Sequence, residues 1–314
     1  MRIIGLAIIN IILIIILGLT TKHFLTKDNL IVIIDNMALE AVVLSGYTLL
    51  LVGGYFDLSV DGVASLTGII FGLLVVAGLI WPIAMIVAMI LSAGIGAING
   101  LVVAKLGING FIATLTTWWI CIGAGLGLTK AISPYNFPHA FQMIGQTRIF
   151  GVRILVIYAI IAITFFSIIL NKHIIGAHIL VSGDNRIASK MMGINVEKLG
   201  MGLYILVGIL AGFVGIMTAA RLNAASPVAV DGMTLKIIAA IVIGGSNLTG
   251  GKGSIIGGIL GLLLMNILSN ASIQLGISPY WQKAVLGGIL LIAVLSERSN
   301  IQNIFNFRRI RNEN

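Results

Sequence analysis

Apolar residues in this chain come in long continuous runs, not in the alternation of a half-buried strand. The runs lie near residues 3–19, 39–54, 60–79, 82–105, 110–129, 153–170, 199–220, 234–245, 254–271 and 281–296. A membrane span needs about 20 predominantly apolar residues, and backbone in lipid must satisfy its own hydrogen bonds, so such runs predict helices. The expected fold is all-α, a polytopic membrane helical bundle of eight to ten transmembrane helices. Two irregular places set that range. The 234–245 run is too short to cross alone, and residues 54–62 form a polar break, so either marks a half-span or a re-entrant turn. Residues 3–19 look like the apolar region of a signal peptide, but the run is long and no small-residue cleavage site follows in TTKHFLTKDN. It reads as a retained first span.

Composition strengthens the membrane reading. The chain is 59% apolar and 9% charged, with a mean hydropathy of +1.12, where a soluble domain carries about 25% charged residues. Its formal net charge of +9 is spread over the segments between spans and is not gathered in one stripe, so the positive-inside rule accounts for it better than nucleic acid does. Ten spans put both ends on one side. If residues 171–200 are cytoplasmic, so are Arg2, Lys105, Lys252 and the tail with Arg298, Arg308, Arg309 and Arg311. Lys22, Lys27, Lys130, Arg148, Arg153, Arg221, Lys236 and Lys283 then fall on the other face, so the bias is modest. The division expected is a membrane domain over 1–298, carrying the polar loop 171–200, and a basic cytoplasmic tail over 299–314. A single cysteine, Cys121, rules out an internal disulfide, and the four histidines lack metal-ligand spacing.

Glycine pairs recur at spacing four inside the runs: Gly68 with Gly72, Gly96 with Gly100, Gly208 with Gly212, Gly257 with Gly261. Such pairs let helix backbones approach closely, either for packing alone or to permit sliding during a transport cycle. The stretch IGGSNLTGGKGSIIGG at 243–258 looks like a phosphate-binding loop but is not one. Lys252 is followed by Gly253 instead of Ser or Thr, and Ser246 stands where the first glycine belongs. It reads as a turn between membrane segments. No nucleotide site is built by this sequence, so ATP and magnesium, if used, belong to a partner.

The loop 171–200 is the polar island of the chain. Ser182, Gly183, Asp184 and Asn185 are turn and cap types, Arg186 to Met192 suffice for two helical turns, and Gly193 suits the position after the last turn. Ile187 and Met191 fall at i and i+4 with Met192 alongside, while Arg186 and Lys190 form a basic strip. The resulting short helix is either a docking knob for a partner or a helix lying in lipid headgroups. Among intramembrane polar groups, Asn99, Asn266 and Asn270 suit a neutral polyol or plain interhelical bonding. Asp57 with Ser59 suits gating or a turn. Arg221 and Asp231, flanking the segment with Pro227, suit contact with an external partner or with each other.

Five ordered blocks resemble the permease subunits of bacterial ATP-binding-cassette sugar importers of the ribose, xylose and galactose type. They are GGYFDLSVDG at Gly53–Gly62, INGLVVAKLGINGFIATLTT at Ile98–Thr117, SGDNRIASKMMGINV at Ser182–Val196, the stretch Ala219–Gly261, and GISPYWQKAVLGGILLIAVL at Gly276–Leu295. The first departs from the family by an extra residue before Asp57 and by Asp61 in place of a glycine. The resemblance implies a permease of the bacterial cytoplasmic membrane, paired with a copy or a sister permease, served by ATPase subunits and an extracytoplasmic sugar-binding protein. It also implies that Asp184, Asn185, Arg186, Ile187, Lys190, Met191 and Gly193 form the ATPase-coupling loop. An ion-coupled secondary transporter of a small polar solute is the other class to weigh; such carriers commonly bury carboxylates, and here Glu40, Asp57 and Asp61 are the main ones away from the ends. An enzyme would need a nucleophile or acid–base constellation that the sequence does not offer.

Overall fold

The computed structural model describes residues 2–276 together with 281, 284, 287 and 288. The expected last span at 281–296 and the basic tail at 299–314 lie outside the described residues, apart from those isolated positions. Twelve helices are described: α1 (Arg2–Thr20), α2 (Lys27–Val52), α3 (Val60–Val76), α4 (Trp81–Gly100), α5 (Gly110–Thr129), α6 (His139–Gln146), α7 (Ile154–Lys172), α8 (Ile174–Asp184), α9 (Arg186–Met191), α10 (Val196–Leu222), α11 (Met233–Ile243) and α12 (Ile255–Gln274). A two-residue hairpin, β1 (Arg148–Ile149) with β2 (Val152–Arg153), caps one end. Seven helices are long and apolar enough to cross a membrane: α1, α2, α4 with the π turn at Leu101–Lys105, α5, α7, α10 and α12.

The ends of these helices follow local chemistry. Asn109, Asn195 and Ser254 accept backbone N–H bonds at the starts of α5, α10 and α12, and Pro occupies the first turn of α4. Asn223, left-handed at φ 53°, ends α10. The second helix starts at Lys27, twelve residues before the expected 39. Its polar first turns are not a loop because each finds a partner: Asn29 exchanges bonds with Asn270, and Asp35 meets Arg148 and Arg153.

Helices α2, α3, α4 and α10 form the centre of the bundle. The glycine pairs lie at its closest approaches: a Cβ at Gly96 would press on Tyr204 and Ile205, one at Gly208 on Ser92, and one at Gly261 on the backbone of Ala240. Close backbone packing is thus what these glycines provide. Around the core, Ile86, Ile90, Ile112, Ile120, Ile160 and Phe165 stay exposed, as a lipid-facing surface requires.

Both irregular places are broken helices. α11 has 11 residues, about 16 Å at 1.5 Å per residue, half of a hydrocarbon core of about 30 Å. At the other place the chain leaves α2, turns back through residues 55–59, which have no regular structure, and enters α3 from inside the bundle. Tyr47, more than a turn before the end of α2, bonds both backbone groups of Asp57, so this segment runs back alongside the helix it left. The N-termini of α3 and α11 then meet in the interior. Asp61 in the first turn of α3 accepts from Gly232 N, Thr234 N and Thr234 Oγ1 at the start of α11. One carboxylate thereby sits at the positive ends of two helix dipoles.

Candidate functional site

The polar loop resolves into two helices, where the sequence suggested one. Ser182, Gly183 and Asp184 continue α8 instead of forming a turn, because Gly176, Ile179 and Ser182 pack that helix against the bundle. Asn185 is the break and the cap: its Oδ1 accepts from Ile187 N and Ala188 N at 3.0 Å each. Gly193 at φ 80° closes α9, its N–H donating to Lys190 O while Ile194 N reaches back to Ser189 O. Between these ends Ser189 is buried, whereas Ile187, Met191 and Met192 are 71%, 84% and 61% exposed. Lys190 reaches Glu197 at 2.9 Å on the surface, an exposed pair of little energetic weight.

Arg186 faces the protein. Its Nη2 donates to Gly54 O at 2.8 Å and its guanidinium lies 4.4 Å from the centre of the Tyr55 ring. Burial raises the Tyr55 phenol above its ordinary range, and the Arg186 charge pulls the other way. Tyr55 in turn donates to Val196 O and packs edge-on against Tyr204, whose hydroxyl donates to Phe56 O. The short helix is therefore tied through one arginine to the segment that links α2 to α3.

Beneath it the glycine turns at 53–54 and 250–251 meet Gly183 near the end of α8. Gly251 N donates to Val52 O at 2.8 Å, a Cβ at Gly250 would lie 2.7 Å from Gly54 Cα, and one at Gly183 would overlap Val52 O and come within 2.6 Å of Gly251 N. The phosphate-loop lookalike is thus a structural turn, with Gly250 and Gly251 at positive φ. It joins α11 and α12 to the base of α8 and α9.

Deeper in the bundle, Asp57 and Ser59 do meet Asn99. Thr117 Oγ1 donates to Asn99 Oδ1, Asn99 Nδ2 to Ser59 Oγ, and Ser59 Oγ to Asp57 Oδ1, at 2.7, 2.9 and 2.6 Å. Asn266 and Asn270 do not belong to this chain of bonds. Asn266 forms a closed ring with Glu40 and Lys236: Lys236 Nζ to Glu40 Oε1 at 2.7 Å, Lys236 Nζ to Asn266 Oδ1 at 2.9 Å, Asn266 Nδ2 to Glu40 Oε2 at 2.8 Å. Lys236, expected on an outer face, is an interior cation of α11. Its place inside the apolar run TLKIIAAIVI was the available signal, because a charge there must find a partner. Arg221 bonds Asp35 O and the side chain of Asn36. Among the described residues no group of three or more His, Cys, Asp or Glu could hold a metal ion.

The family described as "Branched-chain amino acid transport system / permease component" matches residues 30–294. The ribose import permease protein RbsC of Escherichia coli (strain K12) is 35% identical over 291 residues, covering 90% of each chain. RbsC of Bacillus subtilis (strain 168) is 32% identical over 289 residues, covering 91% of this chain and 90% of its own. The D-allose transport system permease protein AlsC of Escherichia coli (strain K12) is 31% identical over 283 residues, covering 90% of this chain and 86% of its own. No solved structure gave a significant match. With the family matched over most of the chain and seven membrane-length helices described, the protein belongs to this permease family, as a multi-pass transport subunit and not an enzyme.

Proposed function

We propose that this chain is the transmembrane subunit of an ATP-driven importer that carries a ribose-like monosaccharide, pentose or hexose, across the cytoplasmic membrane. A separate ATPase, holding ATP and magnesium, docks on α9; an extracytoplasmic binding protein delivers the sugar, and a second permease subunit completes the pore. The observation that carries this reading is α9 itself: an apolar knob of Ile187, Met191 and Met192 presented to solvent on a helix capped at both ends. A lipid-resting helix has no need of the Arg186 bond to Gly54. That bond gives a docked partner a lever on the α2–α3 connection, so closure of an ATPase pair would repack the broken helices between outward-open and inward-open states.

The test is gentle purification of the tagged chain from its native membrane, with identification of what accompanies it and an ATPase assay. A stoichiometric nucleotide-binding subunit is expected, and replacing Gly193 by valine is expected to release it. Arg186→Glu is expected to lower uptake by about tenfold or more while the protein still inserts, since it removes a charge-assisted bond and a cation–π contact at once. Normal uptake by both variants at normal membrane levels would remove the docking role. A chain that purifies alone, without ATPase activity, would favour the ion-coupled carrier.

A further inference from the structure

At the end of the bundle opposite α9, a cavity of about 460 Å³ opens between α2, α10, α11 and α12. Its volume falls in the range of about 300–1,000 Å³ typical of small-molecule sites. We propose that this cavity is a binding site for a neutral polyhydroxylated molecule, an entry station within a single subunit where a monosaccharide pauses before crossing. The proposal rests on the sugar-import reading above and adds to it the residues that hold the sugar.

The cavity's charge inventory selects the ligand class. Its lining contains two carboxylates, Glu40 and Asp231, and two cations, Arg221 and Lys236, so it carries no net charge. Glu40 and Lys236 satisfy each other at 2.7 Å with Asn266 closing the ring, and Arg221 is held by Asn36 and the Asp35 carbonyl. A charged ligand would meet a lining with no excess of opposite charge, whereas a hydroxyl can add to these bonds, since Lys236 has a third N–H beyond the two used in the ring. A polyol needs donors and acceptors side by side. Asn266, Ser269 and Asn270 lie on one face of α12, at spacing three and four, where the Ser269 hydroxyl can donate and accept, Asn270 Nδ2 has a second N–H beyond its bond to Asn29, and Asn266 Oδ1 has a second lone pair beyond its bond to Lys236. The neighbouring cavity beside α11 shares Asp231 and Lys236 with this one and adds Asp61 and Thr234, which are bonded to each other, but its other side chains are apolar, so it offers a sugar fewer partners.

Position agrees with an entry role. The lining takes in the first half of α2 and the last turns of α10 and α12, on the side of the hairpin and α6 and away from the glycine junction. Lys236 belongs to the broken helix α11, so a ligand seated here touches an element whose other end, at Gly244, leads into that junction.

The experiment uses the purified permease complex in nanodiscs without its binding protein and measures equilibrium binding of tritiated D-ribose, with D-allose and L-arabinose as competitors and L-leucine as a zwitterionic control. Saturable binding displaced by sugars and not by leucine is expected. Ser269→Leu, which narrows the cavity from α12 without altering the ring, and Asn270→Ala should each weaken it by about tenfold. Asn10→Ala, removing an amide at the α1–α12 contact, should leave the affinity unchanged, and the unfolding temperature of every variant shows whether it has folded. If cells import one of these sugars but the complex binds none, or if Ser269→Leu binds like the parent, the entry station is wrong and the importer stands. If cells import none of them, the sugar reading itself falls, and the station with it.

Discussion

Leucine in place of Gly183 is expected to abolish uptake and to reduce the yield of folded protein several-fold. Gly183 lies where the base of α8 crosses the end of α2 and the turn at Gly250 and Gly251. A Cβ there would overlap Val52 O and crowd Gly251 N, both backbone atoms that cannot rotate away. Those atoms are also hydrogen-bonded to each other at 2.8 Å, so relief of the clash breaks a bond. Overpacking of this kind costs about 3 kcal/mol, at the upper end of the usual range because backbone must move. Gly193→Val makes the contrast. A Cβ at Gly193 meets nothing within 4 Å, and only its positive φ resists a side chain, a local cost of about 1 kcal/mol or somewhat more. Size-exclusion profiles and unfolding temperatures in detergent separate the two: the Gly183 variant should fail before it reaches the membrane in quantity, the Gly193 variant only in coupling. A Gly183→Leu protein that folds and transports like the parent would show that this glycine junction can loosen freely.

Asp61→Ala is expected to destabilise the interior by about 3 kcal/mol, because it removes the acceptor shared by Gly232 N and by the buried Thr234 N and Thr234 Oγ1. The start of α11 would then lack its cap, and the half-helix its attachment to α3. Asp61→Asn keeps one side-chain acceptor and should recover part of the loss. Asp61→Leu, equally unable to accept, should behave like alanine or worse. Thermal unfolding of the three variants in one detergent checks the order. An alanine variant melting with the parent would mean that packing against α12 and the Lys236–Glu40 bond to α2 suffice to hold α11. At Asp61, then, the interior meeting of two helix N-termini is bridged by a side chain.

Most of the bundle is legible along the chain because lipid leaves backbone few choices. A continuous apolar run must become a helix, so the observed bounds of α4, α5, α7, α10 and α12 differ from the hydropathy reading by only a few residues. Asn185 and Gly193 are legible for a different reason. A cap bond and a left-handed closing residue act within one turn, so the six-residue α9 needs no distant partner to be foreseen.

Distance along the chain sets what stays hidden. Nothing local says that Asn99 would join Ser59 and Asp57 while Asn266 would join Glu40 and Lys236, because each bond spans tens to hundreds of residues. Local pattern also misjudged the start of α2, whose polar turns are satisfied by α12 and the hairpin. The sequence by itself determined that this is a helical membrane protein with two irregular places and a short capped helix in a polar loop, since hydropathy, breaks and caps are one-dimensional signals; the permease reading came from the resemblance of whole ordered blocks. Only the tertiary structure decided that the glycine turns at 53–54 and 250–251 form one junction with Gly183 of α8, that Asp61 bridges two half-helices, and that a charge-balanced cavity opens at the far end. Those are meetings of segments remote in sequence, and packing chooses them.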